Sequence, residues 1–290
     1  MSEQRELPSN LRSLEQRIVN IVVASGRPMR RIQRVVANTA VGQMLPAGVV
    51  KGGTAIKLRV GEAGSRFTPD VDATRSAAVS LDDYLDELAE RLAQGWSGFT
   101  GTVEELEAPK PEGVPDEYVM QPFALRLAYR GRHWLKVTFE LGHDEVGSTA
   151  NADMRIAVDI IDLFHEIGLK APAPVPLLAL DHQVAQKLHA CTSINPRTGG
   201  NERAHDLVDL QILEQEEELD LAAIKSAGTR LFASRRSQPW PPVIVAHPAW
   251  DTIYAEAAEG LDVLTDVNAA IVWANHLIER VAASTAAEGA

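Results

Sequence analysis

Lys51-Gly52-Gly53-Thr54, followed sixteen residues after Thr54 by Asp70-Val71-Asp72, constrains this chain more than any other stretch. Pro46 to Val50 reads as a loop leading into a short apolar strand. Thr54 suits the N-cap of a helix through Ala55, Ile56, Leu58 and Val60. A strand, a glycine turn and a helix N-terminus together favour phosphate, because backbone N–H donors and the positive dipole end converge there. Glycines lack a Cβ, so an anion can approach the backbone closely. The pattern is neither a Walker loop nor a dinucleotide fingerprint. Taken alone, the glycine pair fits an ordinary tight turn equally well.

The carboxylates add a second requirement. If residues 70 to 74 form a strand, Asp70 and Asp72 point to the same face. Their backbones then lie roughly 6.6 Å apart. Two negative charges at that separation repel by about 2.5 kcal/mol at an effective dielectric of ~20. A buried pair needs a counter-charge, and a magnesium ion with oxygen ligands supplies one. The alternative is an exposed turn opening at Thr68-Pro69, with both acids solvated.

Residues 51 to 75, KGGTAIKLRVGEAGSRFTPDVDATR, resemble the first motif of the AbiEii/AbiGii-type nucleotidyltransferase toxins, a family that includes the MenT-like toxins. Lys51, Gly52, Gly53, Thr54, Ala55, Arg66, Phe67, Asp70 and Asp72 match it, while Thr68 stands where serine is usual. Two downstream segments are similar to the same family. DHQVAQKLHA at 181 to 190 places Lys187 at the family's lysine, and ERAHDLVDLQIL at 202 to 213 aligns Arg203, Asp206 and Asp209. His205 replaces the usual basic residue there. On a helix, Asp206 and Asp209 share a face. Between the blocks, 124–130 and 133–141 read as a hairpin, with Lys136, Thr138 and Glu140 on one face. Glu140 then matches a strand acid of the family.

The resemblance implies an α/β (α+β) fold akin to DNA polymerase beta, a nucleotidyltransferase-like mixed sheet lobe followed by a mainly helical lobe. It implies a metal-dependent nucleotidyltransferase, the toxin of a toxin–antitoxin system, acting on RNA (the 3′ end of tRNA) or on a protein acceptor. Asp70, Asp72, Lys187 and Asp209 are the expected catalytic residues. Gly52, Gly53, Thr54, Arg66, Lys187, Arg203 and Asp206 are expected to bind the nucleoside triphosphate, with Lys187 as a mobile point charge. Asp70, Asp72 and Glu140 are expected to hold Mg²⁺ or Mn²⁺. A cognate antitoxin protein is the expected partner. Two alternatives stand: a haloacid-dehalogenase-like phosphatase built on Asp70-x-Asp72-x-Thr74, and a non-catalytic, partner-binding relative of the fold.

Composition narrows the rest. No apolar run reaches membrane-spanning length and the first ten residues are polar, so a cytoplasmic protein is expected, with no membrane partner. Cys191 is the single cysteine, which excludes an internal disulfide or a cysteine zinc cluster. A net charge of −12 argues against a nonspecific nucleic-acid coat but leaves room for a local basic groove. Arg12, Arg17, Arg27, Arg30, Arg31 and Arg34 accumulate before the glycine motif, and Arg235–Arg236 form a second small cluster. Apolar periodicity predicts helices at 12–25, 29–44, after Ser80, and at 181–194, 202–214, 219–234 and 264–284. Ala-Pro repeats near 170–176 mark an extended linker, and 286–290 is expected to fray. The expected division is 1–170 as the nucleotidyltransferase lobe and 171–290 as the helical lobe, with the site in a cleft between them.

Overall fold

The computed structural model of the protein describes residues 6–108, 119–195, 198–236 and 238–285. Its described residues cluster into two compact units. One draws on Met1–Ala63, Phe67–Asp144 and Ala152–Leu177, the other on Gly64–Arg66, Glu145–Asn151 and Leu178–Ala290. The expected fraying at 286–290 falls outside the described residues.

In the first unit the elements run α1 (Leu11–Ser25), α2 (Met29–Gly42), β1 (Gly48–Lys51), α3 (Gly52–Val60), β2 (Val71–Arg75), α4 (Leu81–Gln94), β3 (Phe99–Glu105), β4 (Gln121–Tyr129), β5 (Arg132–Gly142), β6 (Asp153–Arg155), α5 (Val158–Ile167) and β7 (Val175–Leu177). The strands form one mixed seven-stranded sheet in the order β3-β4-β5-β2-β1-β7-β6. β1 and β2 are antiparallel, while β2 runs parallel to β5 and β1 parallel to β7. The sheet's pattern is plain in β5, where Val137, Phe139 and Leu141 are buried and Lys136 and Thr138 are exposed. Those buried faces join Leu14, Ile18, Val36, Leu88 and Phe164 of the helices in one core.

Local chemistry sets the helix ends. Asn10 accepts from Ser13 N–H at the start of α1, and Gly26 closes it in the left-handed region. Ser80 caps α4 through Asp83 N–H. Near 170–176 the expected linker is extended but its end is not a free tether: β7 bonds to both β1 and β6.

The second unit holds α6 (Leu180–Thr192), α7 (His205–Glu216), α8 (Leu221–Arg235), α9 (Trp250–Ala258) and α10 (Val267–Ala283). α7 packs against α6, α9 and α10. Every residue from Asp206 to Leu213 is buried, so α7 is enclosed on all sides. Two aspartates on such a helix demand counter-charges within the bundle.

Candidate active site

β1 passes straight into α3 through the glycine pair. The helix starts at Gly52, with Lys51 as the N-cap residue, so Thr54 is not the cap the sequence suggested. Gly52 has φ +64°, and a Cβ placed on it would sit 2.0 Å from Asp72 Oδ2. A positive φ is open to glycine at little cost, and it starts the helix three residues earlier than a Thr54 cap would. Thr54, already inside the helix and buried, turns its hydroxyl to other use. Its Oγ1 donates to the Asp70 carbonyl at 2.6 Å and accepts from Asn38 Nδ2 at 3.2 Å. Asn38 Nδ2 also donates to the Asp70 carbonyl at 3.0 Å. Thr54 and Asn38 thus brace the backbone of Asp70, a role for Asn38 that no local pattern signals.

β2 begins at Val71, so Asp70 lies just before the strand and strand alternation does not align it with Asp72. The structure aligns Asp72 with other residues. Asp72 is the register partner of Lys51 on β1 and of Glu140 on β5. Lys51, Asp72 and Glu140 therefore lie at one level across three neighbouring strands, about 4.8 Å from strand to strand. Lys51 reaches sideways until its Nζ is 3.2 Å from Met120 Sδ. The Asp72 carboxylate also lies against the first turn of α3, where the helix dipole favours negative charge. Among the described residues, no three His, Cys, Asp or Glu side chains form a ready metal cluster.

The second block assembles around α7. Lys187 Nζ of α6 lies 2.6 Å from Asp206 Oδ1 and 2.6 Å from Asp209 Oδ2. Arg66 grips Asp209 with two bonds of 2.9 Å, and Arg203 Nε donates to Asp206 Oδ2 at 2.7 Å. Both aspartates are fully buried and Lys187 is 5% exposed, so Lys187 is a fixed counter-ion here rather than a mobile charge. Burial pushes both carboxyls up, but Lys187 and Arg203 pull Asp206 well below the usual range, and Arg66 and Lys187 pull Asp209 down. Burial likewise opposes the Lys187 charge, yet the two aspartates raise its pKa overall. His205, where the family has a basic residue, is driven down to about 4 by burial and is neutral at pH 7. The cations around the pair are thus Lys187, Arg66 and Arg203, and Arg203 has half its side chain exposed.

The N-terminal arginines separate by partner. Arg17 donates to the Glu6 and Ile167 carbonyls, and Arg31 pairs with the buried Glu62, which also holds Lys57 at 2.5 Å. Arg30 stacks over the Phe67 ring at 5.0 Å, and Arg34 donates to the Lys136 carbonyl at 2.8 Å. Of the second cluster, Arg235 forms a two-pronged pair with Glu145 and approaches His189 Nδ1 at 3.0 Å. Burial and that guanidinium hold His189 near a pKa of about 3.

A glycine turn at the start of α3 thus lies beside the Asp72 carboxylate on a mixed sheet, with Glu140 as the register partner of Asp72. The family model described as nucleotidyl transferase AbiEii toxin, type IV toxin–antitoxin system, matches residues 38–275. The chain belongs to that family. Among solved structures it is similar to MenT4, a nucleotidyltransferase toxin of Mycobacterium tuberculosis H37Rv. The TM-score is 0.52 at 15% identity, over 92% of this chain and 97% of that one, a likeness of fold. No curated protein matches the sequence. The phosphatase alternative is overturned: its Asp-x-Asp-x-Thr should close an apolar strand, whereas Asp70 precedes β2. Among the described residues, no helix is long and apolar enough to cross a membrane.

Proposed function

We propose that this enzyme transfers a nucleotide from a nucleoside triphosphate to the 3′ end of an RNA acceptor, tRNA by family resemblance, in a metal-dependent reaction. The observation that carries the reading is the close approach of the Asp72 carboxylate to Gly52, which brings a carboxylate oxygen beside the backbone at the start of α3. The N–H groups of Gly52 and Gly53 at the start of α3 grip the triphosphate. Magnesium keeps several waters and needs only one or two carboxylates plus substrate phosphates, so Asp72 and its register partner Glu140 fit it as hard oxygen donors. Asp70, braced by Thr54 and Asn38, completes the acidic edge. A bound ion would lower the pKa of the acceptor hydroxyl and neutralise charge on the leaving pyrophosphate.

Within the second unit, Lys187, Arg66 and Arg203 form a preorganised ionic unit in which Asp206 and Asp209 hold the three cations in place. The enzyme acts in the cytoplasm, with a cognate antitoxin as its regulator. The test is to incubate purified protein with each radiolabelled NTP and total RNA, with and without EDTA. Label should appear in RNA in the presence of Mg²⁺ and vanish with EDTA. Label in protein alone, or label insensitive to EDTA, would sink the reading.

A further inference from the structure

α2 carries Arg30, Arg34 and Asn38 at spacings of four, so the three lie along one stripe of the helix. That stripe follows the segment leading to the acidic edge: Arg30 covers Phe67, and Asn38 holds the Asp70 carbonyl. Arg34 bridges to the neighbouring strand. β2 pairs with β5 only from Phe139 to Gly142, and Arg34 donates to the Lys136 carbonyl beyond that pairing. On β5 the residues Lys136, Thr138 and Glu140 share a face, with Lys136 and Thr138 exposed. Arg34 is thus linked electrostatically to Asp70, by a hydrogen bond to the Lys136 carbonyl, and along the helix to Arg30 one turn away. Arg30 and Arg34 oppose one another electrostatically, since burial and Arg30 both lower the Arg34 pKa while Asp70 resists that shift. An anion beside them would relieve the repulsion. Arg126, cross-strand from Lys136, is by contrast matched by Glu104 at 2.6 Å.

We propose that Arg30, Arg34 and Lys136 form a track for the phosphodiester backbone of the RNA acceptor, guiding its 3′ end to the edge made by Asp70, Asp72 and Glu140. The inference rests on the RNA reading of the site and adds the residues that recognise the acceptor. On a chain of net charge −12, a local basic track selects where the strand lies against an acidic overall balance.

The track predicts how binding depends on salt. Affinity of the full-length protein for a 5′-fluorescein-labelled RNA with a free 3′ hydroxyl is measured by anisotropy across a range of KCl, beside NTP labelling of the same RNA. Arg30→Ala and Lys136→Ala should each weaken binding and reduce the log–log salt slope by about 0.7, the release expected per single-strand phosphate. KM for NTP should stay unchanged, and Arg126→Ala should leave slope and affinity at wild-type values. If wild-type enzyme labels RNA but both track variants keep its slope, the track is wrong and the reaction stands. If the variants raise KM for NTP at an unchanged RNA slope, these cations serve the triphosphate and the track is again wrong. If wild-type enzyme labels protein and not RNA, the RNA reading falls and the track with it.

Discussion

Two pairs of aspartates in this protein show opposite solutions to the same electrostatic problem. Asp70 and Asp72 stand partly exposed at the start of β2, beside a glycine turn whose backbone donors suit an anion. Asp206 and Asp209 lie fully buried on an enclosed helix, with Lys187, Arg66 and Arg203 already around them. Partial exposure keeps the first pair in contact with solvent. Burial makes the second pair dependent on its own cations, because removing one partner strands a charge in low dielectric. The first pair meets solvent, and the second is locked among its own cations.

The sharpest way to break this contrast is Lys187→Ala. It removes the cation shared by two buried carboxylates, so stability should fall by about 3–5 kcal/mol, seen in a urea titration. With 5% exposure, Lys187 also holds the bundle together. A stability change below about 1 kcal/mol would mean that the α7 aspartates are not held by Lys187. Asp72→Asn should show the reverse profile. Its transfer rate should drop on the order of 10²–10³-fold, as when one stabilising group is removed from an active site. Its unfolding free energy should stay within about 0.5 kcal/mol of wild type, as for a surface change. Wild-type transfer rates would remove Asp72 from the chemistry.

Acid sharpens the contrast further, because a buried neutral histidine belongs to the second region. His189 is depressed from 6.5 to about 3, with burial the larger cause and Arg235 next. The unfolded chain then binds a proton that the folded chain refuses. Its contribution is complete above pH 6.5 and is lost as pH falls toward the folded value. Between pH 6.5 and pH 5 the loss should be about 2 kcal/mol, from ~1.4 kcal/mol per pH unit. His189→Gln should flatten that slope in urea titrations at pH 7 and pH 5. An equal slope in the variant would assign the acid sensitivity elsewhere.

How much of this was legible in the sequence follows the range of the interactions. Helices with an apolar stripe, such as α1, α4 and α10, and the alternating β5 declare themselves through local period. β3, FTGTVEE, shows no such alternation, since only Phe99 is fully buried, and it was not foreseen as a strand. β7 was hidden by Pro176, which reads as a linker until β1 and β6 flank it. α5 and α9 also went unforeseen. In the site, the residue types were readable from the motif, but their assignment to partners was not. A helix start at Gly52 depends on a positive φ that sequence does not display. The pairing of Arg66 with Asp209 spans 143 positions, and the sorting of Arg17 and Arg31 into internal bonds needs the folded neighbours.

The smallest effect tests the brace on Asp70, which separates positioning from capping in the first region. A cap at Thr54 would serve an N–H within α3, whereas the observed hydroxyl donates to the Asp70 carbonyl and receives Asn38. Thr54→Ser keeps that oxygen and should preserve both stability and transfer. Thr54→Val keeps the shape but leaves the buried Asn38 amide and the Asp70 carbonyl one bond short, costing about 1–2 kcal/mol. If the brace positions Asp70, Asn38→Ala should lower kcat in the same sense as Thr54→Val, and the two losses should combine non-additively, since both act on one carbonyl. Additive losses in a double-mutant cycle, or a fall in melting temperature with kcat untouched, would reduce the pair to packing and leave Asp70 positioned by β2 alone.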